Sequence, residues 1–192
     1  MLIVPGPTDQ AVPSATIVPV ASERLAPLAG VFLDESRGTH VRVEVKDGKL
    51  HWGAQAAEPL SARRFRLGAS GEIVFVTTDR VETTSTLFGT RRNFSRVDSR
   101  LPSQAEIQAL VGDYRNTDLG TVYRIERKDN AILARVVAGP ELEWSAPAIS
   151  RDIFAAGRDT MRFIRGQGGR GEAFLMSNPR NKDVRFDRMP GS

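Results

Sequence analysis

A serine made nucleophilic by a lysine needs that lysine one helical turn later, where the amine can take the hydroxyl proton. No serine in this chain has a lysine three residues on. There is also no cysteine, so a thiolate nucleophile, a thiolate metal ligand and a disulfide framework are all excluded. The two histidines, His40 and His51, have no second histidine at ligand spacing, which argues against a zinc or non-haem iron site. Two acid pairs, Asp34 with Glu35 and Glu141 with Glu143, could in principle do general acid-base work. They fall in turns or on the outer side of alternating strands, where solvated charge is the ordinary reading. The residue types therefore predict no catalytic group, no metal site and no cofactor.

The elements that would have to position such groups are organised by a repeat. Gly30-Val31-Phe32, then Arg37-Gly38-Thr39, then the alternating run Val41 to Lys46 ending in Asp47-Gly48, return later in the chain. The second copy reads Gly112-Asp113-Tyr114, Leu119-Gly120-Thr121 and Tyr123 to Lys128 ending in Asp129-Asn130. The offset is constant: 112−30, 120−38 and 129−47 all give 82. Val41, Val43 and Val45 alternate with Arg42, Glu44 and Lys46, a period of two that buries one face and wets the other. Asp-Gly and Asp-Asn then stand where a tight hairpin needs positive φ. Each copy thus opens an antiparallel meander.

In the first copy the pattern predicts further strands at Leu50–Trp52, Pro59–Phe65, Ile73–Val76, Thr83–Phe88 and Asn93–Val97. In the second it predicts Ala131–Val137, Leu142–Ile149, Asp152–Ala155, Thr160–Ile164, Gly171–Met176 and Asp183–Met189. Closely joined strands of this kind, about six to eight per copy, suit an up-and-down barrel or a sandwich, and no helix is long enough for a parallel crossover. Short helices precede both copies. One spans Ser22 to Ala29, with Ser22 as its cap and Leu25 and Leu28 turned inward. The other opens on the capping box Ser103 to Glu106, with Ile107 and Leu110 inward. The boundaries follow: a Pro-rich linker or arm over 1–21, a first module over 22–99 and a second over 100–192. Asn93 to Val97 closes the first copy as Arg185 to Met189 closes the second, at an offset of 186−94, or 92. The ten extra residues lie between the first hairpin and the last strand of the second copy, some of them in the loop Gly166 to Gly171.

That glycine-rich loop lacks the Lys-Ser/Thr ending of a phosphate loop and leads into a strand, so it reads as a flexible hairpin end. Tyr114 stands at the position of Phe32 in the other copy and reads as strand core. Large inward residues at Phe32, Val43, Phe65, Phe75 and Phe94 are expected to fill a small barrel. Lys plus Arg exceeds Asp plus Glu by 27 to 23, with both signs interspersed, and aromatics make up 7% of the chain. A nucleic-acid stacking platform is not supported by that pattern. No apolar run approaches membrane-spanning length, and the start at Met1 is too broken by proline for a secretory signal.

The module formed by Leu-x-Gly-x-Phe/Tyr, Gly-Thr, an alternating strand ending Lys-Asp-Gly/Asn, and Phe-x-Arg-Val/Met resembles the β-barrel modules that follow the catalytic domain in many bacterial serine hydrolases of the β-lactamase fold. Over residues 22 to 189 the tandem looks most like the C-terminal part of D-aminopeptidases. Tyr114-Arg115-Asn116 and His51-Trp52-Gly53 also resemble two short motifs of the penicillin-recognising enzymes, although the lysine-activated serine is missing. The resemblance implies an all-β fold: two tandem antiparallel, lipocalin-like barrels of about eight strands, each behind a short helix. It further implies a non-catalytic accessory role, gating substrate access to a serine hydrolase domain that belongs to the same parent protein and lies outside this chain. By analogy the gating loop is Arg165, Gly166, Gln167, Gly168, Gly169, Arg170 and Gly171. No nucleic-acid or membrane partner is implied, and a bacterial cytoplasmic setting is favoured over a periplasmic one. Two other readings are a small apolar ligand held in each barrel, as lipocalin-like barrels can do, and a docking or dimerisation module without ligand.

Overall fold

The computed structural model of the chain describes residues 17–69, 71–85, 87–137 and 142–191. The first sixteen residues of the predicted arm, and Glu141 of the second acid pair, lie outside them.

Helix α1 (Ser22–Leu25) continues into a 3₁₀ turn at Ala26–Leu28 and leads into eight strands. These are β1 (Gly30–Asp34), β2 (His40–Lys46), β3 (Lys49–Trp52), β4 (Gln55–Pro59), β5 (Arg64–Leu67), β6 (Gly71–Phe75), β7 (Arg80–Ser85) and β8 (Thr90–Arg96). Helix α2 (Gln104–Gln108) opens the second set. Its strands are β9 (Gly112–Asn116), β10 (Thr121–Lys128), β11 (Ala131–Val136), β12 (Glu143–Ser150), β13 (Ile153–Ala156), β14 (Asp159–Arg165), β15 (Gly171–Ser177) and β16 (Val184–Arg188). Each strand pairs antiparallel with its sequence neighbour, and β8 returns to β1 as β16 returns to β9, so two closed eight-stranded barrels stand in tandem.

The hairpin chemistry is as the sequence implies: Asp47, Gly48 and Asp129 adopt φ of 51°, 72° and 52°. Helix α2 carries its capping box, with Ser103 Oγ accepting the Glu106 amide and the Glu106 carboxylate accepting the Ser103 amide. Helix α1 differs, because its cap position is Ala21 and no side chain caps it; Ser22 is already helical. The predicted strand Pro59–Phe65 is a turn between β4 and β5. Ser61 Oγ accepts the Arg63 and Arg64 amides there (3.4 and 3.1 Å), a local bond that diverts the backbone from the ladder. The predicted strand Thr83–Phe88 stops at Ser85, since Gly89 turns at φ +59° and leaves Leu87 and Phe88 72% and 80% exposed at the hairpin tip.

Structural pairing of the inward residues locates the length difference between the copies. Ala57 and Phe65 correspond to Ala146 and Phe154 (146−57 and 154−65 give 89), Phe75 to Phe163 (88), Val81 to Phe174 (93) and Phe94 to Phe186 (92). Seven residues are added in the longer β11–β12 hairpin (89−82) and five in the β14–β15 loop (93−88), while single residues are lost where the offset falls from 89 to 88 and from 93 to 92, which leaves the net ten. The paired inward residues themselves are buried in both copies. In the second barrel Phe174 stacks on Phe186 with centroids 4.8 Å apart and planes at 11°, and Tyr114, Tyr123 and Phe163 surround it edge-on or tilted. Phe32, Phe65 and Phe75 make the matching cluster in the first barrel, with Trp52 set edge-on to Phe94 at 5.0 Å. The helices plug one end of each barrel through Leu25 and Leu28, or Ile107 and Leu110.

The two cores are separate, but a third apolar cluster joins the barrels. Val31, on the outer face of β1, packs with Ile149, Ile153 and Ala155 and with the half-buried Val97. Around it, Lys182 Nζ donates to the Glu35 carbonyl at 2.6 Å, and His40 Nδ1 lies 3.0 Å from Thr160 Oγ1. Gly38, at φ +68°, sits directly against Ser177, where a Cβ would collide with the hydroxyl. Of the arm, Val18 donates its amide to the Pro59 carbonyl at 3.0 Å, so its last residues do lie along the first barrel.

Phe174 is fully buried and meets the rings of Tyr114, Tyr123, Phe163 and Phe186. Phe174→Ala is expected to cost about 3 to 5 kcal/mol, read as a lower urea midpoint, whereas Phe88→Ala at the exposed tip leaves the midpoint unchanged.

Candidate functional site

The candidate loop begins at the end of β14 and is built inward. Gln167–Gly169 form a single 3₁₀ turn with Gly168 and Gly169 at φ +77° and +79°. Gly166 is held close by the side chain of Glu172, which occupies the space a Cβ would need. The Gly166 amide donates to the Arg170 carbonyl at 2.9 Å, and the Gly171 amide donates to the Ala109 carbonyl at 3.0 Å, tying the loop to the end of helix α2.

Arg165 makes the strongest tie. Its side chain is only 9% exposed. Nε donates to Asp152 at 2.6 Å, while Nη1 donates to the carbonyls of Glu106 (3.1 Å) and Gly169 (2.7 Å). One guanidinium therefore joins strand, helix and loop. Helix α2 is itself anchored at Glu106, which caps the helix and receives Arg100 and Arg151, each at 2.8 Å. Those hydrogen bonds, from Arg100 first and the Ser103 amide next, hold the Glu106 carboxyl far below the usual carboxylate range.

Beside the loop lies a cleft of about 320 Å³ lined by Gln167, Arg170, Glu172, Arg188 and Pro190 among others. At its inner edge Arg188 donates to the carbonyls of Ala109 (3.3 Å), Gly171 (3.1 Å) and Val111, and packs over the Tyr114 ring at 5.7 Å. Tyr114 is fully buried and donates its hydroxyl to the Leu110 carbonyl at 2.7 Å. Burial pushes that phenol up, against the opposing pull of Arg188, Arg170 and Arg165, so it remains a neutral donor and not a base.

The other residues with possible chemistry are dispersed. Asp34 is 1% exposed, and its Oδ1 accepts the Ser36 amide, the Ser36 hydroxyl and the Arg37 amide (2.8, 2.6 and 3.1 Å), which holds the β1–β2 turn. Glu35 takes the Ser95 hydroxyl, and Glu143 pairs with Arg135 at 2.7 Å across neighbouring strands. His51 is half-buried on β3 beside the inward Trp52, and Gly53 makes the following turn at φ +60°. Among the described residues, no group of three or more His, Asp or Glu could hold a metal ion, and no helix is long and apolar enough to cross a membrane. The sequence reading missed the inward course of Arg165 and the clamp made by Arg188. The signal for the second was present, since the closing Phe-x-Arg occurs in both copies. No protein-family model matches the chain, and no curated protein matches it.

Two outcomes follow from this anchoring. Hydrogen exchange at the Gly166 and Gly171 amides is expected to be slow and to accelerate by an order of magnitude or more in Arg165→Ala, with β10–β12 unaffected. Because the Glu106 carboxyl is depressed in the folded state, its stabilisation is present above pH about 4.5 and is lost as pH falls below it. Glu106→Gln therefore lowers the melting temperature at pH 7 and flattens its decline between pH 4.5 and 3.

Proposed function

We propose that the two barrels form a non-catalytic accessory unit of a serine hydrolase, set beside a catalytic domain of the parent protein and limiting what reaches its active site. One observation carries the reading: both barrels are filled by their own side chains, from Phe32, Phe65 and Phe75 in the first to Tyr114, Phe163 and Phe174 in the second. Rings that occupy the interior favour a role for the loops and outer faces held on that rigid frame over a ligand held inside. The buried nucleophile-and-base pair that a hydrolase needs has no counterpart in the arrangement of the loop, where Arg165, Tyr114 and Arg188 all serve backbone carbonyls or a structural carboxylate. The serine hydrolase partner rests on the module resemblance of residues 22 to 189. Within that reading, the loop from Arg165 to Gly171 is the part of the second barrel aimed at the partner, as an anchored wall and not a flexible arm.

The purified chain is expected to hydrolyse neither D-amino-acid amides nor β-lactams; turnover that persists through repurification would overturn the proposal. The complementary test is the coding sequence immediately upstream of Met1, which is expected to encode a Ser-x-x-Lys domain. With such a domain attached, replacing Gln167 to Arg170 by a two-residue turn should widen the range of accepted substrates while leaving the melting temperature of the first barrel unchanged.

A further inference from the structure

We propose that the seam between the two barrels is a proton-operated latch, with His40 as its sensor, that holds the barrels docked near neutral pH and releases them on acidification.

The geometry places the imidazole where its charge must matter. His40 projects from the outer face of β2 into the seam and reaches across it to Thr160, which is 1% exposed. Their contact, Nδ1 to Oγ1 at 3.0 Å, is one of two hydrogen bonds described here between side chains and groups of opposite barrels, the other being that from Lys182 to the Glu35 carbonyl. Next to them stands the small apolar cluster of Val31, Ile149, Ile153 and Ala155. A neutral imidazole fits this setting, and either partner can supply the shared proton.

An imidazolium does not fit as well. Charged groups on the surrounding elements are Arg42 on the same strand, Glu35 at the β1–β2 turn, and Arg162, Lys182 and Asp183 across the seam; Asp159 is on the other face of β14 from Thr160, toward Tyr123. The carboxylate of Glu35 is engaged by Ser95, and that of Asp183 by Arg162 (3.4 Å) and Ser177 (3.3 Å). Arg42 repels a second positive charge directly. Burial first, and Arg42 second, hold the imidazole below its ordinary value of 6.5. Undocking rehydrates the ring and raises its pKa toward that value, while Arg42, on the same strand, keeps its share of the effect. A group whose pKa is depressed by docking supports docking fully above 6.5 and progressively less as pH falls through the interval between the two values. Each pH unit of that interval weakens docking about tenfold.

The test uses the whole chain and methyl NMR. Ile149 and Ile153 report the seam, Leu50 and Ile132 report the two cores, and the Val31→Asp variant supplies the undocked reference. As His40 titrates in the wild-type chain between pH 7.5 and 5, the seam methyls should move toward their Val31→Asp positions while the core methyls stay fixed. His40→Gln keeps a neutral hydrogen-bonding side chain toward Thr160 and should hold the seam methyls in their docked positions across the same range. Seam methyls that stay docked while His40 protonates would overturn the proposal. So would a His40→Gln variant that loosens with the wild-type midpoint.

Discussion

Each barrel depends on one arginine of its last strand. Arg96 lies across the open end of the first barrel, donating to the carbonyls of Ala29 (2.5 Å), Pro27 (2.8 Å) and Thr78 (2.6 Å), pairing with Asp79 at 2.9 Å and covering the Phe32 ring at 4.8 Å. Arg188 does the same in the second barrel with Ala109, Val111 and Gly171 above Tyr114. The end of a short helix leaves carbonyls with no intrahelical partner, and a guanidinium, with five donors in a fixed plane, satisfies several at once. Gly30 shows what this contact demands. Its φ is +157°, and a Cβ there would strike the Arg96 guanidinium. Glycine at the start of the first strand and arginine at the end of the last are therefore one device, written twice at offsets of 82 and 92. The same contact ties the plug to the closing strand and, in the second barrel, holds the Gly171 end of the β14–β15 loop.

In one layer the copies keep volume while exchanging residue identity. In the first barrel Trp52 on β3 faces Gln55 on β4; at the same pairing in the second, Ala134 faces Trp144. The indole has moved to the neighbouring strand, yet it still rests edge-on against a ring of its barrel, Phe94 in one case and Tyr123 in the other. A close-packed interior constrains the total filling of a layer more tightly than it constrains which strand supplies it.

This explains what could be read from the chain before its structure. The hairpins, the alternation and the capping box are local, so their residues suffice to reveal them. Interior positions such as Phe32 and Phe75 were legible for the same reason. The strand ends near Pro59 and Thr83 were not: Ser61 and Gly89 redirect the chain through single local bonds or dihedrals, while the apolar Leu87-Phe88 imitates a strand. The anchoring of the loop lay beyond reach because Arg165 acts on Asp152, Glu106 and Gly169, groups that only folding assembles. Val31 is a different case. It occupies an outward position that a single barrel would expose, and only the neighbouring barrel accounts for its burial.

The seam joins unlike faces, the outer side of β1 to the outer side of the β12–β13 hairpin. Contacts of that kind, repeated, generate open polymers unless something ends the series. The free faces differ in the required way. Where the second barrel has Ile149, Ile153 and Ala155, the first has Leu60, Arg64 and Arg66 (an offset of 89), with Arg64 and Arg66 already engaged by Glu72 and Glu58. Where the first barrel has Val31, the second has Asp113, paired with Arg124. A further molecule stacking head to tail would have to bury these ion pairs, each of which loses water that its partner does not fully replace. The doubled chain thus carries its own terminators at both exposed ends.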